Sequence, residues 1–243
     1  MKNQTLTLTI LFLFSILTSQ AQWGSKTIKG NGSVITKTIQ AGDYDAISVA
    51  GNFYVTLIEG SEGTIQIKGE SNLLEEMEIE TEKGNLKIKP RDNKNLKTSG
   101  KNKIEITIPV QEINTIALAG SGTIQNDFSL KSSQLSVKLA GSGTINLDIK
   151  TIELETSVAG SGDLLLKGKA QNLNGSIAGS GSIDTQQVKT ENADISIAGS
   201  GDFKLQCSGL LKARVSGSGD IIYKGKPEKI DSKVAGSGKL KSL

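Results

Sequence analysis

A tripeptide that recurs at a nearly constant interval constrains the fold of this chain more than any other feature. Gly-Ser-Gly occurs seven times, and successive copies begin 21, 19, 19, 20, 18 and 19 residues apart. The copies begin at Gly120, Gly141, Gly160, Gly179, Gly199, Gly217 and Gly236. A period near 20 residues is typical of solenoids, in which each repeat is one structural unit stacked on its neighbours.

The repeated unit extends beyond the tripeptide on both sides. The residue before it is alanine in six copies and serine in one, and the second residue after it is always apolar. Apolar residues also alternate with polar ones along the chain, as in Leu135, Val137 and Leu139 before one corner. Alternation with a period of two predicts strands rather than helices. Each repeat is therefore expected to contain two short strands that flank a glycine corner.

These observations predict an all-β protein that folds as a parallel β-helix, or β-solenoid, with rungs of about 19 residues and Gly-Ser-Gly corners. Leucine-rich repeats have a similar length, but their consensus and their helical segments are missing from this sequence. A β-propeller requires about 40 residues per blade and fits the spacing poorly. One rung buries too few apolar side chains to fold alone, so neighbouring rungs must share their burial and hydrogen bonds.

The sequence before the regular repeats is less uniform. Alternating apolar residues still predict strands there, and Ala50-Gly51-Asn52-Phe53 is similar to a shortened corner. We expect residues 22–115 to form irregular N-terminal rungs and a cap, continuous with the regular repeats of residues 116–243 in one domain. A separate small β domain in the first of these segments is the alternative.

The N-terminus has the features of a signal peptide, predicted to span residues 1–21. Lys2 precedes an apolar stretch that ends near Leu17, and small residues follow as far as Ala21. This pattern predicts cleavage after Ala21 and export of the remaining chain. No later segment is apolar for long enough to cross a membrane as a helix, so we expect no membrane-spanning segment in the mature chain.

The composition limits the chemistry that the protein can perform. The chain contains no histidine, which excludes serine–histidine catalysis and histidine-ligated metals. Its formal net charge of +3 is too balanced for an obligate nucleic-acid binder. The single cysteine, Cys207, alternates in phase with Phe203 and Leu205, which predicts a small buried hydrophobic residue rather than a reactive thiol or an intermolecular bridge.

Acidic residues near the corners are the candidates for metal ligands and for catalysts. Asp163, Asp202 and Asp220 follow three of the seven corners, which is too few oxygens for calcium. Glycoside chemistry needs two carboxylates in a cleft, and Glu153 and Glu155 lie on one predicted strand. No long insertion that could build a cleft interrupts residues 116–243. We therefore predict no catalytic, cofactor-binding or metal-binding residues, no cofactor and no enzyme activity; a polysaccharide-acting lyase or hydrolase is the alternative.

The serine in the middle of each corner is the candidate ligand-facing residue. If the corners stack, these seven hydroxyls form a ladder along one edge, consisting of Ser121, Ser142, Ser161, Ser180, Ser200, Ser218 and Ser237. Such a ladder could hydrogen-bond a glycan or another envelope or surface protein. The alternative is that serine is simply a small polar residue that fits between two glycines.

The last rung suggests a further partner, a second copy of this chain. An open end of a β-helix exposes an unpaired edge, which favours end-to-end self-association. Lys233, Lys239 and Lys241 lie near this edge and would instead protect it.

The sequence also resembles a known bacterial family. The segment from Tyr44 to Leu57, the predicted strand from Gly60 to Lys68 and the Ala-Gly-Ser-Gly series are similar to the family called putative auto-transporter adhesin, head GIN domain. The resemblance covers roughly residues 35–240. It implies a right-handed parallel β-helix that Gram-negative bacteria, commonly Bacteroidetes, export to the periplasm, the cell surface or the medium. It also implies an adhesin-like or structural module of the cell envelope, and it carries over no catalytic or binding residue.

Overall fold

The computed structural model describes residues 26–243, and the predicted signal peptide at residues 1–21 lies outside the described residues. The strands are β1 (Thr27–Lys29), β2 (Val34–Gly42), β3 (Ala46–Ala50), β4 (Tyr54–Glu59), β5 (Gly63–Glu70), β6 (Met77–Glu82), β7 (Asn85–Pro90), β8 (Asn95–Lys97), β9 (Glu105–Val110), β10 (Thr115–Gly120), β11 (Thr123–Asn126), β12 (Leu130–Lys131), β13 (Gln134–Gly141), β14 (Thr144–Gly160), β15 (Asp163–Gly179), β16 (Ser182–Gly199), β17 (Asp202–Cys207), β18 (Leu210–Gly217), β19 (Ile221–Lys224), β20 (Lys229–Gly236) and β21 (Leu240–Ser242). One short helix, α1 (Ser71–Leu74), and a 3₁₀ turn (Arg91–Asn93) interrupt them. Within residues 26–243, no helix is both long and apolar enough to cross a membrane.

The strands form two parallel walls that meet at the glycine corners. The first wall, on the N-terminal side of each corner, contains β7, β3, β10, β13, the second halves of β14, β15 and β16, and then β18 and β20. The second wall, on the C-terminal side, contains β9, β4, β11 with β12 after it in the same rung, the first halves of β14, β15 and β16, and then β17, β19 and β21. The predicted parallel β-solenoid with rungs of about 19 residues is confirmed.

Equivalent residues of successive rungs lie directly above one another. Gly141 pairs with Gly160, which pairs with Gly179, and the same register continues through the apolar positions. Because side chains of a strand alternate between two faces, alternate residues of the inner rungs point inward and are buried, as in β13 and β18. The inward residues after the corners, from Ile124 to Ile221, are completely buried. They form one column of the core.

The two glycines of each corner are required for different reasons. The first has a φ between +114° and +134° in all seven corners, a region that disfavours residues with a side chain. A Cβ at Gly160 would also lie 2.6 Å from the carbonyl oxygen of Gly141 in the neighbouring rung. The second glycine has no positive φ, but a Cβ at Gly162 would lie 2.6 Å from the carbonyl oxygen of Gly143. The backbones of successive corners are therefore in direct contact.

The N-terminal region contains strands that are not rungs. β5 is antiparallel to both β2 and β9, and β6 is antiparallel to β7. The chain order also departs from a simple coil, because β3 and β4 have β10 and β11 on one side and the later strands β7 and β9 on the other. Sequence periodicity does not reveal this arrangement, since an alternating strand has the same pattern whichever way its partner runs.

The short corner at Ala50-Gly51-Asn52-Phe53 begins the glycine column. It lies in register with the first Gly-Ser-Gly, so Gly51 is adjacent to Gly120 and Phe53 is adjacent to Gly122. Phe53 can replace the second glycine because no glycine corner lies on its other side, where β7 leads into the segment before β9. Its ring is buried and closes this end of the column.

A buried carboxylate joins three segments of the N-terminal region. The Glu70 side chain accepts hydrogen bonds from the backbone N–H of Ser99 at 2.8 Å, from the Ser99 hydroxyl at 2.5 Å and from the N–H of Gly32 at 2.5 Å. These bonds, above all that from the Ser99 hydroxyl, lower the pKa of Glu70 below its ordinary value. The ionised form therefore stabilises the fold of this region.

The corner contact can be tested with Gly160→Ala. Because the new Cβ meets the Gly141 carbonyl in a strained backbone conformation, we expect the free energy of unfolding to fall by about 3 kcal/mol. Thermal and urea denaturation followed by circular dichroism would measure the change. Ser161→Ala, at the exposed residue between the two glycines, is the control and should change stability by less than about 0.5 kcal/mol. An unchanged melting temperature for Gly160→Ala would contradict the corner geometry.

The Glu70 site predicts a dependence of stability on pH. A lowered folded-state pKa stabilises the protein above the unfolded-state value of about 4.3, and this stabilisation is lost as the pH falls through the folded-state pKa. We expect Glu70→Gln to melt at a lower temperature than the wild type at pH 7, with a difference that shrinks towards pH 3. Melting curves across this range would show it. Glu228→Gln, at an exposed glutamate, should not show the same convergence.

Candidate functional site

The seven corner serines lie together on one edge of the solenoid. All seven side chains are exposed, and the register of the walls stacks each serine on the next. Each backbone N–H from Ser142 onward donates to the carbonyl of the first corner glycine in the preceding rung, at 2.8–3.0 Å. The backbone of the edge is therefore used by the fold, while the hydroxyls face solvent. Whether they contact a ligand stays a prediction.

The corner aspartates bond to the neighbouring rung. Asp163 accepts a 2.6 Å hydrogen bond from the Ser182 hydroxyl, and Asp202 accepts one of 2.9 Å from the N–H of Asp220. Asp220 in turn accepts from the N–H of Lys239, and its ion pair with Lys241 lowers its pKa. Between residues 26 and 243, no group of three or more Cys, Asp or Glu side chains is placed to hold a metal ion.

The outer face of the first wall carries small residues and a shallow groove. The residue before each corner forms a column made of Ala50, Ala119, Ala140, Ala159, Ala178, Ala198, Ser216 and Ala235. The groove has a volume of about 420 Å³ and lies at the N-terminal end of this column. Ser48, Ala117 and Ser157 form part of its lining, and Lys87 and Lys138 lie beside them. Small side chains of this column therefore form the floor of the groove, and lysines lie at its sides.

The outer face of the second wall carries a column of like charges that the sequence analysis missed. Lys131 pairs with Lys150, Lys150 with Lys169, and Lys169 with Lys189 in four successive rungs. All four side chains are exposed. We call this column the lysine ladder. Its residues are 19, 19 and 20 positions apart in the sequence, so the repeat interval itself was the signal that could have revealed it.

The glutamates considered for catalysis take part in bonds between rungs. Glu153 accepts a 2.6 Å hydrogen bond from the side-chain amide of Asn172, and Asn172 accepts one of 3.1 Å from Asn192. Glu155 accepts a hydrogen bond of 2.8 Å from the Ser136 hydroxyl. These contacts give both carboxylates a structural role between rungs.

Cys207 is a buried, unpaired thiol, as predicted. Its sulfur donates towards the carbonyl oxygen of Glu191 at 3.1 Å. Burial raises the pKa of the thiol above its ordinary value, which disfavours the reactive thiolate. The prediction that this residue packs as a small hydrophobic side chain is confirmed.

The last rung leaves β20 exposed along its whole length. Ile230 and Val234 are 42% and 39% exposed. Lys241 makes an ion pair with Asp220 of the preceding rung rather than pointing free of the edge. End-to-end self-association through this rung stays a prediction.

Comparison with protein families supports the resemblance noted in the sequence. The model of the family described as "Putative auto-transporter adhesin, head GIN domain" matches residues 43–227. This match covers most of the chain, including six complete Gly-Ser-Gly corners and part of the N-terminal region. A search of curated proteins found no match.

Solved structures with the same fold come from Parabacteroides and Bacteroides species. A putative lipid binding protein from Parabacteroides distasonis is 26% identical, with a TM-score of 0.75 over 90% of this chain and 100% of its own. A putative adhesin from Bacteroides fragilis is 23% identical, with a TM-score of 0.82 over 89% and 100%. A putative adhesin from Parabacteroides merdae is 23% identical, with a TM-score of 0.71 over 90% and 100%. The similarity to the two adhesins establishes a shared fold.

The environment of Cys207 predicts an unreactive thiol. Because the residue is buried with a raised pKa, we expect a thiol reagent at pH 8 to label the native protein at least about tenfold more slowly than the protein in concentrated urea. Absorbance after addition of Ellman's reagent would measure both rates. The control is Ser200→Cys in a Cys207→Ala background, whose exposed thiol should react at once in the native protein. Equally fast labelling of native Cys207 would contradict the buried site.

Proposed function

Because this chain belongs to the family of the putative auto-transporter adhesin, head GIN domain, we propose that it is an exported, non-catalytic module that binds its partners through the outer faces of the solenoid. The partner is a glycan or another protein of the cell envelope or surface. The observation that carries this proposal is the edge of seven stacked, exposed serines within a family of adhesins.

The interior of the solenoid favours contact from outside. The inward positions of successive rungs hold Ile, Leu, Val and Phe side chains that are almost completely buried. Because these side chains fill the interior, a partner can contact the solenoid only through the columns of residues on its outside. A straight edge with one hydroxyl about every 4.8 Å offers a repeated set of weak contacts, which would add up along an extended ligand.

Several observations support a location in the envelope. The N-terminal residues 1–21 have the pattern of a signal peptide, and solved proteins with this fold come from Bacteroides and Parabacteroides. We propose residence in the periplasm or at the cell surface of a Gram-negative bacterium. The bonds made by Glu153 and Glu155 support a non-catalytic role, since both carboxylates hold neighbouring rungs together.

The test is a binding screen of the mature chain, residues 22–243, on an array of neutral and acidic glycans, with depolymerisation assays on the same glycans. We expect binding without turnover. For a ligand held by the serine ladder, the triple variant Ser142→Gln, Ser161→Gln, Ser180→Gln should weaken binding about tenfold, because it alters three successive hydroxyl contacts. A lipid panel belongs in the screen, since one solved relative is named a putative lipid binding protein.

The matched control changes three exposed serines away from the corners, Ser33→Gln, Ser61→Gln and Ser129→Gln. It should bind as the wild type does. Turnover of any glycan would overturn the non-catalytic proposal. Equal binding by both triple variants would show that the partner does not contact the serine ladder.

A further inference from the structure

From the lysine ladder on the second wall, we propose a binding site for an extended acidic polysaccharide that carries a carboxylate on its sugar units. The ladder lies on a different face from the corner serines, and the inference rests on the proposed role of the protein as a binding module. Four lysines follow one another in register, one per rung, on strands that lie roughly 4.8 Å apart. After Gln206 in the next rung, the column continues with Lys224.

The lysine ladder places four like charges in one column, whereas other contacts between like charges on paired strands of residues 26–243 are single, as in Lys29 with Lys97 and Arg214 with Lys233. Elsewhere on the walls, several basic residues make ion pairs with acidic residues of an adjacent rung: Lys138 with Glu155, Lys167 with Asp148, Lys212 with Asp194 and Arg214 with Asp231. Within residues 26–243, no ion pair includes a residue of the lysine ladder.

Like charges directly opposite each other on neighbouring strands are destabilising. Three successive repulsive contacts, on walls where several other basic residues form ion pairs between rungs, indicate a use outside folding. A polyanion laid along the column would neutralise all four ammonium groups at once. It would convert the repulsion of the empty site into attraction.

The ladder borders a recess that suits a chain of sugars. We call it the trough; it has a volume of about 580 Å³. Lys150, Lys169 and Lys189 line it, together with Gln171 and Gln206. The side-chain amides can bond to sugar hydroxyls while the ammonium groups bind carboxylates.

The trough continues towards the first lysine of the ladder. A second recess, of about 350 Å³, is lined by Lys131 and Lys150. Ile152 lies between the two recesses, is 52% exposed and offers an apolar contact to the face of a sugar ring. Among the side chains that line the two recesses, the only acidic ones are Glu112 and Glu191.

The shape and composition of the trough favour a polysaccharide over other polyanions. Single-stranded nucleic acids are held by aromatic side chains on which bases stack, and no aromatic residue is among those that line either recess in the described part of the chain. Duplex DNA presents its phosphates on a helical path, whereas the ladder is a single column along the stacking direction. A lipid surface would call for several projecting apolar side chains, and Ile152 is the one exposed large aliphatic side chain that lines these recesses.

The experiment measures binding of polygalacturonate to the mature chain by isothermal titration calorimetry at several salt concentrations. We expect the wild type to bind, with an affinity that falls steeply as salt rises. The triple variant Lys150→Gln, Lys169→Gln, Lys189→Gln should bind at least about tenfold more weakly, since it removes three carboxylate contacts. Its salt dependence should be correspondingly shallower, because fewer counterions are released. Its melting temperature should equal or exceed that of the wild type, because repulsion is relieved.

The matched control removes the same charge elsewhere, in Lys29→Gln, Lys101→Gln, Lys226→Gln, all at exposed lysines. It should bind polygalacturonate as the wild type does, and an equal loss in both variants would overturn the site. Tighter, ladder-dependent binding of DNA or of phosphatidylglycerol vesicles would overturn the choice of ligand. Binding of neutral glycans alone would overturn this inference and leave the proposed function standing, whereas failure to bind any ligand would overturn both.

Discussion

The contact between the backbones of successive glycine corners is the constraint on which the structure depends. A Cβ on either glycine of a corner would collide with a carbonyl oxygen of the adjacent corner, so the chain can turn at this spacing only where side chains are missing. Once the corners are in contact, the strands of successive rungs are aligned in register in both walls and can form hydrogen bonds with one another. The inward aliphatic residues then form a continuous core, because each lies directly above its equivalent.

The same register turns single residues into columns on the outside. Where successive repeats keep the same residue at an exposed position, that residue forms a column, as the serines, alanines and lysines do. At other positions the sequence varies between rungs so that an acid faces a base, as in Asp148 with Lys167 and Asp194 with Lys212. The lysine ladder keeps one charge through four rungs. In a solenoid, the chemistry of an outer surface therefore depends on whether the residue at one outward position is kept or changed in successive rungs.

The sequence was sufficient to predict the regular part of the fold, because its information is local and periodic. The interval between corners and the alternation of apolar residues are enough to predict the walls, the corners and the burial of Cys207. The position of Glu70 could not be predicted in this way, since its partners Gly32 and Ser99 come from segments far away in the sequence. The antiparallel pairing of β5 with β2 and β9, and of β6 with β7, could not be predicted. Apolar residues alternate with a period of two in a strand whichever way its partner runs. The serine ladder follows from the repeat, and the lysine ladder could have been found by comparing outward positions at the same interval.

The glycine column has one closed end, at Phe53, and its remaining corners are equivalent to one another. A duplication of one unit of about 19 residues would insert a rung whose contacts are those already present. The reach of every outer column would then grow by one step of about 4.8 Å, with the cap untouched. The gain or loss of a repeat therefore changes the length of the solenoid without changing its corners. Such a protein can evolve to match a longer or shorter ligand through the number of its rungs, with no change in the shape of a pocket.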